Sequence, residues 1–341
     1  MGAPAITDGA SRQSIPEITA KLDWADLVTL DLSDFDRPGF FYLVNFGLSQ
    51  EEVNDQFSLA AKIFQLPEQE KQKYERNHSL PCGPLGFQLR GNGPGQRENV
   101  ELYDDPKWNS CFEDRPRPPP CVEYKERIEK FCRHLHYHIL YRLLVLTAII
   151  LKLEDEEALW KLHNEEAMSN CHMRYMLQHP SASKGEKGPV TETIRGHTDF
   201  GTFTLLFRQP IAGLQIRTAD NSWKWVKPYP ASITVNVADT LSALTGGLLK
   251  SSIHRVIPPP DDQKGLARLG VIYFSQPGDD TVLRPIDSGL VQIATSNSPI
   301  PIDKQLTVGE WVMARHKGFR EDVTGKVGAQ IVQGVQVPIY T

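Results

Sequence analysis

The sequence predicts a mainly β core of antiparallel sandwich or barrel type, preceded by helices and followed by a short helical tail. Three observations predict it. From Cys171 onward, apolar residues alternate with a period of two in HMRYMLQ, GTFTLLFR, GLQIRT, WKWVK, SITVNVAD, SSIHRVI and RLGVIYFS. Each of these short segments is bounded by Gly, Pro, Asn or Asp. Between Tyr124 and Leu162 the period is three to four instead, which is helical. Finally, Gly and Pro number 25 each among 341 residues, a turn-rich composition that favours many short strands.

Taken in order, residues 1–27 are a polar lead-in, and LVTLDL (Leu27–Leu32) is a first strand. GFFYLVNFG (Gly39–Gly47) is a second, apolar and closed by a glycine. Ser49 followed by Glu51 and Glu52 opens a helix that Pro67 ends. Residues 76–122, with GPLGFQLRGNGPGQR and DRPRPPP, read as one long loop, suited to a lid or a substrate wall. The long helix buries Ile128, Phe131, Leu135, Ile139, Leu143, Leu146, Ile150 and Leu153, and breaks near Glu154–Glu156. After the strands, LTVGEWVMARHKGFR returns to helical character. The expected divisions are an N-terminal region with the loop (1–122), a scaffold helix (123–165), the β core (166–280) and a C-terminal extension (281–341), together one compact unit. There is no repeat at a fixed period.

Composition narrows the function. An apolar fraction of 40% supports a real core, and a net charge of −5 with pI ≈ 6.1 provides no basic face for nucleic acid. Five cysteines (Cys82, Cys111, Cys121, Cys132, Cys171) form no CxxC pair, which suits free thiols in a reducing compartment. The N-terminal stretch lacks a basic region followed by an apolar run. Ile139–Leu151, the longest apolar stretch, contains Arg142 and is too short to cross a bilayer. The expectation is a cytoplasmic protein acting on a small molecule, with no nucleic acid and no membrane. Nothing in the sequence specifies an oligomeric state.

The chemistry concentrates in GHTDFG. His197 and Asp199 stand two apart, so in an extended chain they reach one face. His254, in SSIHRVI, can supply a second imidazole. Two histidines and a carboxylate leave three positions of an octahedron open, the facial triad of non-haem Fe(II) oxygenases. HxD alone is common by chance. A carboxylate breaking an apolar strand, however, must be paired or metal-bound to be buried cheaply. Arg268 opens RLGVIYF inside the β core, where a guanidinium could take a carboxylate in a bidentate pair. Arg174 is a candidate for a substrate carboxylate or phenolate. Phe87, Arg90 and Arg97 could line a substrate mouth, although packing is the commoner role for such residues. His134, His136 and His138 lie on the long helix with no acidic partner for an HExxH, so they read as a solvated or partly packed face. Trp223 and Trp225 read as sheet packing.

GHTDFGTFTLLFRQPIAGLQI, VNVADTLSALTGGLLKSSIHRVIPPP and RLGVIYF together resemble the Fe(II)/2-oxoglutarate-dependent oxygenases of the isopenicillin N synthase-like group. LDLSDF, GFFYLVNFG, KIFQLPEQEKQKY and Gly86–Phe87 resemble that family's N-terminal region. The resemblance implies a double-stranded β-helix (jelly roll) with flanking helices. It implies iron on His197, Asp199 and His254, and 2-oxoglutarate held by Arg268 through its far carboxylate. It also implies O2 as the oxidant, succinate and CO2 as co-products, and hydroxylation, desaturation or radical rearrangement of a small organic substrate in natural-product tailoring. Pyrimidine hydroxylation is the alternative within the same chemistry. A 2-oxoglutarate-independent Fe(II) oxidase and a non-catalytic jelly-roll binding protein are the alternatives outside it. Two departures bear on the co-substrate. Gly270 stands where the family usually has a serine two residues after the arginine, and in MRYMLQHP either Gln178 or His179 stands near the usual tyrosine.

Overall fold

The computed structural model describes residues 15–30, 39–76, 85–89, 99–180, 194–294, 305–321, 329–332 and 335–338. β1 (Val28–Leu30) pairs in parallel with β2 (Phe40–Leu43). α1 (Gln50–Phe64) starts where expected: the Ser49 hydroxyl accepts from the Glu52 N–H and the Glu52 carboxylate accepts from the Ser49 N–H, a capping box. α2 (Glu68–Gln72) follows Pro67.

The stretch read as loop contains two strands, β3 (Gly86–Gln88) and the seven-residue β4 (Val100–Pro106). β4 was concealed by its Asp-Asp-Pro ending, which looks like turn chemistry. Both aspartates are in fact buried and paired. Asp104 takes Arg76 and Arg174, while Asp105 accepts from Arg117 Nε at 3.1 Å and Trp108 Nε1 at 3.0 Å. Phe87 packs in the core against Tyr103, ring centroids 4.7 Å apart, so it does not line a mouth. Arg90 and Arg97 lie outside the described residues.

The long helix begins with α3 (Pro119–Glu123) and α4 (Lys125–His134), widens to a π-helical turn over Leu135–Leu140, and continues as α5 (Tyr141–Ile150). A π turn adds a residue to the helical repeat and rotates the succeeding turns about the axis. Ile128, Phe131, Leu135, Ile139 and Leu143 are buried as expected. Beyond them Leu144, Thr147, Ala148 and Leu151 face the core, and Leu146 and Ile150 are only half-buried. His136 sits inside this turn at 3% exposure, bonded to Tyr273 Oη (3.1 Å) and the His163 carbonyl (3.0 Å), so it is a core residue rather than part of a solvated face. α6 (Ala158–Lys161) follows the break.

All seven period-two segments contain strands, and the short β6 before the second of them is an eighth. In chain order they are β5 (His172–Gln178), β6 (Ile194–His197), β7 (Phe203–Phe207), β8 (Leu214–Arg217), β9 (Trp223–Trp225), β10 (Ile233–Val237), β11 (His254–Val256) and β12 (Arg268–Phe274). The strands form two facing sheets rather than a closed barrel: β1-β2-β10-β7-β12-β5-β4-β3 and β6-β11-β8-β9. α7 (Asp239–Leu244), α8 (Gly289–Ala294), α9 (Val308–Glu321) and a hairpin of β13 (Ala329–Val332) with β14 (Val335–Pro338) complete the described chain.

The large sheet has two different faces. Met173, Tyr175, Leu177, Leu205, Phe207, Val235, Val271 and Tyr273 pack against Phe57, Ile63, Phe131, Leu135 and Ile139 of the helices. The alternate residues point the other way. On that inner face Phe40, Tyr42 and Leu206 meet Leu214 and Ile216 of the small sheet, which seals one end of the space between them. Elsewhere the inner face carries buried polar residues, His172, Gln178, Thr204, Thr234, Asn236 and Arg268, beside a smaller apolar cluster of Val100, Leu102 and Met176.

Candidate metal centre

β6 and β11 are hydrogen-bonded neighbours with His197 directly opposite His254. Their rings lie 4.3 Å apart, centroid to centroid. Asp199 sits just beyond the end of β6, and its Oδ1 is 3.7 Å from Nε2 of each histidine. One ligand atom from each of the three residues lies within 4.8 Å of the others. It is the one such set among the described residues.

Neighbouring groups orient the set. Asp199 Oδ2 accepts from Thr204 Oγ1 (2.7 Å) and Asn236 Nδ2 (2.9 Å), which turns Oδ1 toward the histidines. His254 Nδ1 donates to the Ser252 carbonyl (3.1 Å), leaving Nε2 as the free lone pair. Burial alone would raise the Asp199 carboxyl, but His254, His197, Asn236 and Thr204 outweigh it and hold it below the usual range. The loop itself is anchored at Gly201, where a Cβ would stand 2.1 Å from the Ser275 carbonyl oxygen. From the C-terminal side, Arg315 Nη2 reaches Thr198 Oγ1 (3.1 Å) and Asp239 Oδ2 (3.2 Å), and Thr198 Oγ1 also donates to Asp239 (3.1 Å).

Arg268 opens β12 on the inner face of the large sheet, at 4% exposure. Its Nε donates to the Ile211 carbonyl at 3.2 Å, its Nη1 has no partner, and no carboxylate among the described residues pairs with it. Burial pushes its pKa down to about 10, so it stays charged at neutral pH. Gln178 lies opposite Arg268 in the β5–β12 register, whereas His179 is bonded to Glu101 at 2.7 Å. Of those two candidates, Gln178 is the one facing inward.

Arg174 stands farther along this face. It makes two bonds to Asp104, Nε–Oδ1 at 2.6 Å and Nη2–Oδ2 at 2.9 Å, and its guanidinium lies 4.7 Å from the Phe274 ring centroid. Arg76 adds a second cation on Asp104 at 2.5 Å. Burial would raise the Asp104 carboxyl, but these guanidiniums outweigh it and hold it well below the usual carboxylate range. His172 stacks on Phe274 (4.8 Å). The sequence reading missed Thr204, Asn236, Asp104 and Arg315. Asn236 was legible as the one amide inside the apolar run SITVNVAD, but the others carry no signal without the pairing of strands.

A buried half-site of two imidazoles and one carboxylate, held by a jelly-roll scaffold, is the ligand set of non-haem iron oxygenases. The comparisons agree. The model of the 2OG-Fe(II) oxygenase superfamily matches residues 164–277, and that of the N-terminal region named for a non-haem dioxygenase in morphine synthesis matches residues 15–130. The UPF0676 protein of Schizosaccharomyces pombe is 31% identical over 86% of this chain and 89% of its own length. A 2-oxoglutarate-dependent dioxygenase of Didymella fabae is 29% identical over 81% and 85%. Among solved structures, Neurospora crassa T7H with alpha-KG and thymine superposes with a TM-score of 0.69 at 20% identity, covering 83% of this chain and 88% of that one. JOX2 in complex with 2OG, Fe and JA gives 0.64 at 22%, covering 98% and 96%. The chain belongs to the 2OG-Fe(II) oxygenase superfamily. It is a dioxygenase whose cofactor is Fe(II) and whose co-substrates are 2-oxoglutarate and O2. Among the described residues no helix is long and apolar enough to cross a membrane.

Proposed function

We propose that His197 Nε2, Asp199 Oδ1 and His254 Nε2 hold the iron, and that Arg268 takes the far carboxylate of 2-oxoglutarate. The observation that carries this reading is the three-ligand cluster at β6 and β11 of the small sheet, together with a buried guanidinium on the inner face of the large sheet that has no carboxylate of its own among the described residues. Bound Fe(II) supplies O2 activation coupled to conversion of 2-oxoglutarate to succinate and CO2. This chain's residues do the rest. Thr204 and Asn236 occupy Asp199 Oδ2 and leave Oδ1 toward the histidines, Ser252 fixes the His254 tautomer, and the facing sheets exclude water.

The substrate is a small organic molecule, oxidised by hydroxylation, desaturation or rearrangement in natural-product tailoring. Arg174 is its contact. Asp104 offsets only one of the two guanidiniums, Arg174 and Arg76, and Arg76 Nε is buried without a partner. That surplus positive charge favours a substrate with a carboxylate or another anionic group. A pyrimidine, the class bound in the T7H structure, is the second reading: its acceptor oxygens suit the same donors. The four described cysteines are free, which supports work in the cytoplasm. The intact three-ligand cluster and the buried, carboxylate-free Arg268 favour this reading over the non-catalytic binding protein and the 2-oxoglutarate-independent oxidase.

The test is anaerobic. Fe(II) is added to metal-free protein, then 2-oxoglutarate, while the visible spectrum is followed. A weak charge-transfer band that needs both additions, disappears in His254→Ala and needs far more 2-oxoglutarate in Arg268→Ala is expected. Iron binding unchanged in His254→Ala would sink the ligand assignment.

A further inference from the structure

β7 ends at Phe207, and the chain turns through Gln209 and Pro210 before β8. Gln209 is 4% exposed, and neither its Nε2 nor its Oε1 has a hydrogen-bond partner among the described residues. A buried amide left unsatisfied is costly, so such a side chain calls for a partner from outside the chain. Its position is informative. A Cβ built on Gly270 would stand 2.8 Å from Gln209 Nε2 and 3.1 Å from Met176 Cε. The amide thus fills the room that a side chain at position 270 would take, on the inner face of β12.

Two residues earlier on that face is Arg268, with its unpartnered Nη1. The two groups are also tied through the backbone: Arg268 Nε donates to the carbonyl of Ile211, two residues past Gln209. Two buried donors from different parts of the chain, Gln209 Nε2 and Arg268 Nη1, therefore lie to either side of Gly270, neither with an acceptor among the described residues. That is a site for an anion with more than one oxygen.

We propose that Gln209 is a ligand of the far carboxylate of 2-oxoglutarate, donating through Nε2 beside Arg268 in the space that Gly270 leaves open. The donor missing at position 270 is supplied from the end of the adjacent strand β7, and glycine at 270 is what makes room for it. This rests on the assignment of that carboxylate to Arg268.

The experiment uses the full chain loaded anaerobically with Fe(II) and titrated with 2-oxoglutarate. The dissociation constant is read from the visible band and from calorimetry, and iron affinity is measured separately. Gln209→Ala should weaken 2-oxoglutarate roughly 10- to 100-fold, the worth of one hydrogen bond to a charged group, with iron affinity unchanged. Gln209→Glu, nearly isosteric, should weaken it further by placing a carboxylate against a carboxylate. Gly270→Ser alone should also bind poorly, because its Cβ meets the amide. Combined with Gln209→Ala, it should recover most of the affinity by restoring a donor, a rescue that a purely structural glutamine would not allow. Wild-type 2-oxoglutarate affinity in Gln209→Ala and Gln209→Glu, or a double variant worse than either single one, would overturn the proposal while leaving the iron site intact. Absence of the band in the unaltered protein with iron bound would remove the Arg268 assignment as well.

Discussion

Asp199 illustrates how much one carboxylate depends on its neighbours. Its Oδ2 is occupied by Thr204 and Asn236, so only Oδ1 faces the histidines. Groups that orient a metal ligand typically contribute roughly 10- to 100-fold to metal affinity. Asn236→Ala should therefore lower iron affinity by about that factor, measured by competition with a chelator, while the fold stays intact by circular dichroism. An unchanged iron affinity would show that Thr204 alone suffices. Asp104 presents the opposite case, a carboxylate outside the metal site that holds two buried guanidiniums. Removing one member of a buried ion cluster leaves charge uncompensated, so Asp104→Ala should cost about 3–5 kcal/mol in denaturant unfolding. A loss below about 1 kcal/mol would mean that water already reaches Arg76 and Arg174.

The elements differ in how legible they were. Most of β5 to β12 was written plainly in the period of two; in β5, β7, β10 and β12 the cause is that one face is apolar against the helices while the other faces the small sheet. His197, Asp199, His254 and Arg268 could be picked out because charged or imidazole groups interrupt those runs. β4 could not, since its Asp104 and Asp105 become compatible with burial only through Arg76, Arg174 and Arg117, which come from elsewhere in the chain. The π turn was equally invisible: a helical period read from Ile128 continues smoothly to Leu146 on paper, and only the widened turn moves Leu144 into its place. Gln209 carries no sequence signal at all until β7 and β12 are paired. At the junction of β6 and β7, Gly201→Ala should displace the metal loop, because the added Cβ would fall 2.1 Å from a backbone oxygen of Ser275 that cannot swing away. The expected result is a lower Tm together with substoichiometric iron. Full iron content at wild-type Tm would show that the loop shifts without cost.

For the molecule as a whole, acid should be the weak side. Burial pushes His136 down to about 4 and His163 down to about 3, so both are neutral in the folded state. Unfolded, they take up protons below their ordinary value of about 6.5. The unfolded state therefore binds more protons between about pH 6.5 and 4, and stability falls with pH through that window. Each histidine accounts for up to about 1.4 kcal/mol per pH unit there, which a Tm series from about pH 7.5 to 4.5 would register. A Tm independent of pH over that range would contradict the burial of both rings. Molecular scale also governs when the site can exist. The loop carrying Asp199 is clamped by Arg315, 117 residues further along the chain than Thr198. During synthesis both sheets can emerge and pair before α9 leaves the ribosome. A nascent chain halted there would possess every proposed iron ligand and still lack the arginine that fastens the loop, so the loop receives its last tie only when α9 docks.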